Sequence, residues 1–196
     1  MQAANWFVGL RLPEPSGWIE VAARLPSGVR RFHPSDLHIT VAFLGACEEE
    51  HALRAWQALE PRRHPPIPVS AARWLALGPP SAPSAFGLGL ANGHQAVAAL
   101  MASWGAEALA AAGRALDRRE PLPHVTLARP TRRGGDGART AMQQWITTAP
   151  VPEQPTTLEQ LALFTWAANR EERLFQVVAE RRLDQSEWLR QLEAEV

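Results

Sequence analysis

The sequence predicts an α+β fold in which one pattern of strands and helices occurs twice. Runs of β-forming residues alternate with segments whose apolar residues recur every three or four positions, which indicates strands alternating with amphipathic helices. The predicted order is β-α-β-α-β, and a similar order follows. A short motif, His-x-Thr followed by β-forming residues, also occurs twice, at residues 38–40 and 124–126. These three observations suggest an internal duplication.

The first half of the chain contains two predicted strands and two predicted helices. Residues 5–12 and 37–44 are rich in β-forming types, and they end at Pro13 and Gly45. Each strand is followed by apolar residues at helical spacing, namely Trp18, Val21, Ala22 and Leu25 in one segment and Leu53, Trp56 and Leu59 in the other. Three consecutive glutamates at 48–50 suit the positive end of the second helix.

The remainder of the chain is predicted to contain five more strands and three more helices. Gly78 and several prolines separate the first two strands, and Gly113 ends the long helix that follows them. The predicted strands cover residues 67–77, 84–91, 123–129 and 157–166, with a fifth segment at 174–181 that forms a hairpin with the last of them. The predicted helices cover residues 94–112, 138–146 and 186–194.

Composition limits the classes of function that suit this chain. Its 196 residues suit one domain, and its 46% apolar content suits a buried core. The zero net charge excludes a generally polybasic surface, so any RNA contact must be local. Cys47 is the only cysteine, which excludes a disulfide framework. With no long apolar run and no secretory signal at the start, we expect a cytoplasmic protein without membrane contact.

The paired motifs predict acid–base chemistry on a phosphate ester. A strand repeats every two residues, so His38 and Thr40 point to one face, as do His124 and Thr126. An imidazole takes up or releases a proton near neutral pH, and two of them supply both halves of an acid–base reaction. The threonine hydroxyls can donate hydrogen bonds to a phosphate oxygen. Two such strands facing one another would form a cleft suited to this chemistry.

Each motif on its own would have a simpler explanation. A single histidine in a strand is more often a hydrogen-bonded core residue, and a single threonine is an ordinary β-forming residue. The repetition of the pair, with similar flanking residues, favours a catalytic role. The other four histidines, His33, His51, His64 and His94, have no spacing that suggests a metal site, and we expect them to be solvated.

The flanking residues of both motifs resemble a known family. The segments are Leu37-His38-Ile39-Thr40-Val41-Ala42-Phe43-Leu44-Gly45 and Pro123-His124-Val125-Thr126-Leu127-Ala128-Arg129, with Trp6-Phe7 in the opening strand. The chain is similar to the 2H phosphoesterase superfamily, in particular to the RNA 2′,3′-cyclic phosphodiesterases, also called 2′-5′ RNA ligases. The resemblance implies one domain over residues 1–196, with two pseudo-symmetric lobes of duplicated β-α-β-α-β units, mainly antiparallel sheets and a central groove.

The resemblance also implies a reaction and roles for residues. The reaction is metal-independent hydrolysis of RNA 2′,3′-cyclic phosphate ends to a 2′-phosphate, without a cofactor, and its reversal would be 2′-5′ ligation. His38 would be the proton donor and His124 the proton acceptor, although the sequence alone does not distinguish them. Thr40, Thr126 and Arg129 would bind the phosphate. Strict strand alternation places Arg129 on the opposite face from His124, so this role requires a twist or bulge before Pro130.

Other residues are weaker candidates for contact with RNA. Arg132 and Arg133 lie in a glycine-rich loop after the second motif and could steer an RNA backbone. Trp6 and Phe7 could stack on a base, or pack in the core. The chain departs from the family at Pro121, where phenylalanine is frequent, and at residues 163–166, where tyrosine and serine are common. These departures leave the base preference open.

Three alternatives to the leading function remain. The same site could act on another small nucleotide, or the protein could be a nucleotide- or RNA-binding module with little turnover. A metal site is disfavoured, because neither motif contains a carboxylate beside its histidine. We expect RNA ends or small nucleotides as substrate, no obligate protein partner and a monomer.

Overall fold

The computed structural model of the protein describes residues 4–14, 17–131 and 133–184. The strands are β1 (Asn5–Arg11), β2 (Val29–Arg31), β3 (His38–Ala46), β4 (Ile67–Val69), β5 (Ala71–Leu77), β6 (Ala85–Leu90), β7 (His124–Pro130), β8 (Thr156–Leu158), β9 (Gln160–Trp166) and β10 (Phe175–Arg182). The helices are α1 (Gly17–Glu20), α2 (Glu49–Leu59), α3 (His94–Ala111) and α4 (Gly135–Trp145), and a 3-10 turn covers Pro34–Asp36. The helix predicted at 186–194 lies outside the described residues.

The strands form two four-stranded sheets and one two-stranded sheet. The first sheet has the order β10-β9-β1-β3, the second has the order β2-β7-β6-β5, and β4 pairs with β8. All the pairings are antiparallel. The predicted α+β class with mainly antiparallel sheets is therefore confirmed. Each motif strand lies in a different four-stranded sheet, β3 at the edge of the first and β7 inside the second.

Helices α2 and α3 pack against each other, and α3 packs on the buried face of β3. Gly105 of α3 makes this approach close, since a Cβ atom there would lie 2.7 Å from the carbonyl oxygen of Val41. Arg114, just after α3, donates hydrogen bonds to the carbonyl oxygens of Leu44 and Ala46. Helix α3 thus supports one face of the first motif strand, and Arg114 binds the carbonyl groups near its C-terminal end.

The observed elements differ from the predicted ones at four places. The first predicted helix is only the short α1, and the chain continues in turns, in which the N–H groups of Ala22 and Ala23 donate to carbonyls three residues earlier. The predicted strand over 67–77 is interrupted at Ser70, which bonds through its backbone to residues 91 and 92, and the one over 157–166 is interrupted at Glu159. Strand β2 was not predicted; it pairs with β7.

Candidate active site

The two motif strands have the same burial pattern. His38 and Thr40 are half-buried, as are His124 and Thr126, and the residue that follows each of them is buried. In both strands two consecutive buried residues then follow the threonine, before an exposed residue, which is Phe43 in β3 and Arg129 in β7. Two buried neighbours in sequence break the two-residue alternation of a strand and indicate a bulge.

The register of β3 against β1 locates its bulge. Arg11 pairs with His38, Gly9 with Thr40 and Phe7 with Phe43, so β3 has one residue more than β1 between the last two pairs. Directly opposite residues of an antiparallel pair point to the same face. Because Arg11, Gly9 and Phe7 alternate regularly, the side chains of His38, Thr40 and Phe43 share one face of the sheet.

Strand β7 has a bulge at the equivalent place. Gly89 pairs with His124 and Gly87 with Thr126, but the next residue of β6, Phe86, pairs with Ala128. Leu127 is therefore the additional residue, and Arg129 returns to the face of His124 and Thr126. Strict alternation would have placed Arg129 on the other face. The predicted phosphate contact of Arg129 requires a twist or bulge before Pro130, and the bulge at Leu127 provides it.

A glycine lies opposite each motif threonine. A Cβ atom on Gly9 would lie 3.2 Å from Cδ2 of His38, and one on Gly87 would lie 2.3 Å from the carbonyl oxygen of Val125. Glycine within a strand often marks a bulge or a close approach. The sequence carries this signal in its apolar runs FVGL and FGLG, and we did not use it to predict the site.

The orientation of both imidazoles is fixed by a backbone carbonyl. Nδ1 of His38 lies 2.6 Å from the carbonyl oxygen of Asp36, and Nδ1 of His124 lies 2.7 Å from that of Leu122. A carbonyl oxygen only accepts, so in each ring Nδ1 must carry the hydrogen and donate it. Nε2 of each neutral ring therefore keeps its lone pair for proton transfer.

His38 is packed among three phenylalanine rings. Its ring stacks on Phe7 at a centroid distance of 4.5 Å, lies 5.1 Å from Phe164 and meets the edge of Phe175 at 5.5 Å. Burial lowers the pKa of His38 to about 4, against the hydrogen bond to Asp36, and the charges of His124 and Arg129 lower it further. Those two charge effects also indicate that His124 and Arg129 lie near His38.

Phe7, Phe164 and Phe175 form an aromatic cage around His38, and Asp36 connects this cage to the backbone at the start of β10. Its side chain is fully buried, and its carboxylate oxygens accept hydrogen bonds from the N–H groups of Leu174 (2.8 Å) and Phe175 (3.0 Å). The same residue supplies the carbonyl that accepts from Nδ1 of His38. Asp36 thus holds the imidazole and one of its aromatic neighbours together.

His124 has a different environment. Burial also lowers its pKa, against the hydrogen bond to the carbonyl of Leu122. Among the ring contacts of the described residues, none involves His124. The two imidazoles are alike in backbone geometry but differ in their surroundings, and such differences separate the proton affinities of an acid–base pair.

Arg129 is a cation without an acidic partner in the described part of the chain. Its guanidinium lies over the ring of Phe32, 5.4 Å from the centroid. The nearby charge of Arg170 acts on it, and Arg170 in turn lies over Trp166 at 4.4 Å. Two like charges held by aromatic rings favour an anion between or beside them. Arg170 lies in a polar turn, and no sequence pattern marked it as a site residue.

The weaker candidates lie in different environments. Trp6 and Phe7 are both buried, and Phe7 is stacked between His38 and Phe164, so neither ring has a free face for a base. Burial thus argues against the predicted base contact for these two rings. Phe7 instead stacks on His38, and Trp6 packs in the main hydrophobic core. Arg133 is exposed before α4, and Arg132 lies outside the described residues.

A cavity of about 550 Å³ adjoins the site behind Phe32. Its walls include Arg30, Arg31, Glu171 and Glu172, and neither motif histidine lines it. The mixture of acidic and basic groups gives this cavity no clear preference for an anion. Within residues 4–14, 17–131 and 133–184, no group of three His, Cys, Asp or Glu side chains could hold a metal ion, and no helix is long and apolar enough to cross a membrane.

Comparison with known proteins identifies the fold. No protein-family model and no curated protein sequence matches the chain. Among solved structures, E. coli LigT complexed with 3′-AMP is 20% identical, with 93% of this chain and 99% of that chain covered at a TM-score of 0.66. TT0787 of Thermus thermophilus is 19% identical over 91% and 97%, with a TM-score of 0.66. Usb1 of Kluyveromyces marxianus is 12% identical over 91% of this chain and 97% of that chain, with a TM-score of 0.54.

These proteins are members of the 2H phosphoesterase superfamily, the group that the paired motifs resemble. The chain has their fold over nearly its whole length. The identities are low, so the likeness establishes the fold, and the chemistry has to be argued from the site.

Proposed function

We propose that this protein is a 2H phosphoesterase that hydrolyses RNA 2′,3′-cyclic phosphate ends to 2′-phosphates without a metal ion. One observation carries the proposal. Two imidazoles begin two equivalent bulged strands, each has Nδ1 fixed on a backbone carbonyl, and each has a threonine two residues later on the same face. This arrangement would provide two proton-transfer groups and two hydroxyl donors for one anion.

The proposed step transfers one proton at each histidine. Nε2 of His124 takes a proton from water, whose oxygen forms a bond to phosphorus. The bond from phosphorus to the ribose O3′ breaks, and that oxygen receives the proton of Nε2 of His38. The phosphate remains on O2′. The two histidines have then exchanged protonation states, and proton exchange with solvent restores them.

The phosphate charge itself makes His38 a proton donor in this scheme. In the free protein its pKa of about 4 keeps it neutral at pH 7. A bound phosphate anion would offset the unfavourable charge of Arg129 and raise the pKa of His38. Thr40, Thr126 and Arg129 would hold the non-bridging oxygens and stabilise the charge that develops on them.

A nucleotide substrate is supported by charge and by the neighbouring structures. Arg129 and Arg170 provide cations beside the cleft. Arg30 adds a third basic residue, because it lies opposite Arg129 in the register of β2 and β7. LigT has been crystallised with 3′-AMP, NADP+ and ATP. We propose RNA ends as the substrate, with another small nucleotide phosphodiester as the alternative, and Arg133 as an outer contact to the RNA backbone. We further propose that the protein acts as a cytoplasmic monomer.

The test is turnover of an RNA oligonucleotide that ends in a 2′,3′-cyclic phosphate, with excess chelator present. We expect conversion to a 2′-phosphate, and a loss of about 10²–10⁴-fold in kcat for His38→Ala and for His124→Ala. His51→Ala, a half-buried histidine of α2, is the matched control and should retain activity. Absence of turnover with retained nucleotide binding would replace the proposal with a binding module. Activity on another cyclic nucleotide alone would support the alternative substrate.

A further inference from the structure

We propose that Arg170 binds the phosphodiester on the 5′ side of the terminal nucleotide, so that the site prefers an RNA chain to a mononucleotide. The inference deepens the proposed function and rests on it. Arg170 lies in the turn between β9 and β10, and its guanidinium lies 4.4 Å over the ring of Trp166. No acidic side chain pairs with Arg170 among the residues that the structure describes.

The ring beneath Arg170 belongs to the face of the first sheet that carries His38. Trp166 follows Phe164 by two residues in β9, and the Phe164 ring lies 5.1 Å from the His38 ring. Trp166 is also directly opposite Phe175, whose ring lies 5.5 Å from that of His38, and opposite residues share a face. Arg170 therefore extends over this face of β9, next to the aromatic cage.

A second arginine fixes the turn that carries Arg170. Arg30 of β2 donates hydrogen bonds to the carbonyl oxygens of Arg170 (2.6 Å) and Glu171 (3.0 Å). Arg30 is directly opposite Arg129 in the register of β2 and β7, so the side chains of Arg30 and Arg129 share a face. The turn is thus attached to the second sheet beside Arg129, and Arg170 reaches the cleft from the first sheet.

Arg129 and Arg170 are neighbouring cations on separate supports. The guanidinium of Arg129 lies over Phe32 and that of Arg170 over Trp166, so each is held on its own ring. Burial, and then the charge of Arg170, lower the pKa of Arg129, as expected for like charges that lie close together. Two such cations beside a cleft attract more than one negative charge.

The reacting phosphate balances only part of this charge. A 2′,3′-cyclic phosphate is a diester with a single negative charge, and the proposed scheme already gives it Arg129 and a protonated His38. The next anion along an RNA chain is the phosphodiester at O5′ of the same nucleoside, one ribose away. Arg30 is bonded to backbone carbonyls, whereas Arg170 keeps its guanidinium for this second anion, whose oxygens a guanidinium matches.

The experiment compares two substrates that differ in one charge. Both are ApA dinucleotides with a 2′,3′-cyclic phosphate end, and the internal linkage is a phosphodiester in one and an uncharged methylphosphonate in the other. We expect the wild-type KM to be about tenfold lower on the phosphodiester, the effect of one charge-assisted hydrogen bond. In Arg170→Met, which keeps an unbranched side chain without the charge, the two KM values should become nearly equal.

Arg173→Met is the matched control, because it removes the same charge from an exposed arginine between the same two strands. It should retain the tenfold difference between the substrates. Equal KM values for the wild type, or a difference that survives in Arg170→Met, would overturn the inference. An equal loss of the difference in Arg173→Met would also overturn it, because the attraction would then be diffuse and not a contact of Arg170.

Turnover itself separates failure of the inference from failure of the function. If the wild type hydrolyses both dinucleotides with the same KM, the inference is wrong and the proposed function stands. If Arg170→Met raises KM equally on both substrates, Arg170 acts on the reacting phosphate, and the inference is again wrong. If the wild type hydrolyses neither dinucleotide, the proposed function is wrong and the inference falls with it.

Discussion

At the scale of single residues, the two motif histidines differ in what surrounds them. His38 stacks on Phe7 and is enclosed by Phe164 and Phe175, whereas His124 has no described ring contact. In the free protein the lower pKa of His38 would suit a base, and the bound anion has to reverse this if His38 is the proton donor. The assignment of acid and base is therefore a separate proposal with its own test.

A substrate with a good leaving group distinguishes the acid from the base. A nucleoside phosphodiester that releases p-nitrophenolate needs no protonation of its leaving oxygen. We expect His38→Ala to lose about 10²-fold or more on the cyclic RNA end but less than about tenfold on the activated ester, while His124→Ala loses activity on both. The reverse pattern in steady-state kinetics would exchange the two roles.

Asp36 is expected to position His38 through the cage. In Asp36→Asn one of the two accepting oxygens becomes an amide group that faces a backbone N–H, which should lower the free energy of unfolding by about 1–3 kcal/mol. Looser packing of Phe175 would also let water reach His38, so its pKa should move from about 4 toward 6.5 and kcat should fall more than KM rises.

Thr165→Val is the control for the Asp36 variant, because Thr165 is another buried polar side chain and donates to the carbonyl of Asn5. It should cost stability without moving the pKa of His38 in an NMR titration. An unchanged pKa and pH–rate profile in Asp36→Asn would limit Asp36 to a purely structural role.

The motif residues themselves could be predicted from the sequence, because His and Thr two positions apart need only strand geometry to share a face. Asp36, Phe164, Phe175 and Arg170 could not. Their relation to His38 and Arg129 depends on the pairing of β1 with β9, which joins segments more than a hundred residues apart. No local pattern specifies that pairing.

At the scale of elements, the equivalent bulges in β3 and β7 have the largest effect on the site. They turn Phe43 and Arg129 to the faces that carry the motif histidines, whereas simple alternation predicts the opposite faces. The strands that carry the motifs were predicted to within a residue or two at each end. The bulges depend on register against β1 and β6, which hydrophobic alternation does not reveal.

Glycines in two helices test how closely α3 supports the first motif strand. In Gly105→Ala a Cβ atom would lie 2.7 Å from the carbonyl oxygen of Val41, so α3 or β3 must move, and we expect destabilisation by about 1–3 kcal/mol. In Gly137→Ala, within α4, nothing lies within 4 Å, and we expect stabilisation by roughly 0.5–1 kcal/mol. Denaturant unfolding measures both variants. A change in the free energy of unfolding with the same sign in both variants would contradict the close packing of α3 on β3.

At the scale of the whole molecule, both four-stranded sheets combine strands from the two halves of the sequence. Strands β1 and β3 share a sheet with β9 and β10, and β2 shares one with β5, β6 and β7. Neither half of the chain could form its sheet alone. For this reason we propose that residues 1–196 act as one domain, as the lack of a linker in the sequence led us to expect.

The burial of His38 makes the stability of the fold depend on pH. Its pKa is near 6.5 in the unfolded chain and about 4 in the folded protein, so between these values the unfolded state binds more protons. The titration of His38 therefore does not affect the free energy of unfolding above about pH 6.5, and it lowers that free energy as the pH falls toward about 4. We expect the free energy of unfolding to decrease more between pH 7 and pH 5 in the wild type than in His38→Gln. Equal decreases would show that His38 is not desolvated.

The central claim is that two imidazoles act on one phosphate as a unit, and the double variant His38→Ala/His124→Ala tests it most directly. The measurement is kcat on the RNA 2′,3′-cyclic phosphate for the wild type, both single variants and the double variant. Groups that act as a unit are non-additive, so we predict that the double variant is about as slow as the slower single variant. Losses that multiply, or a single variant that retains wild-type turnover, would contradict a shared acid–base mechanism.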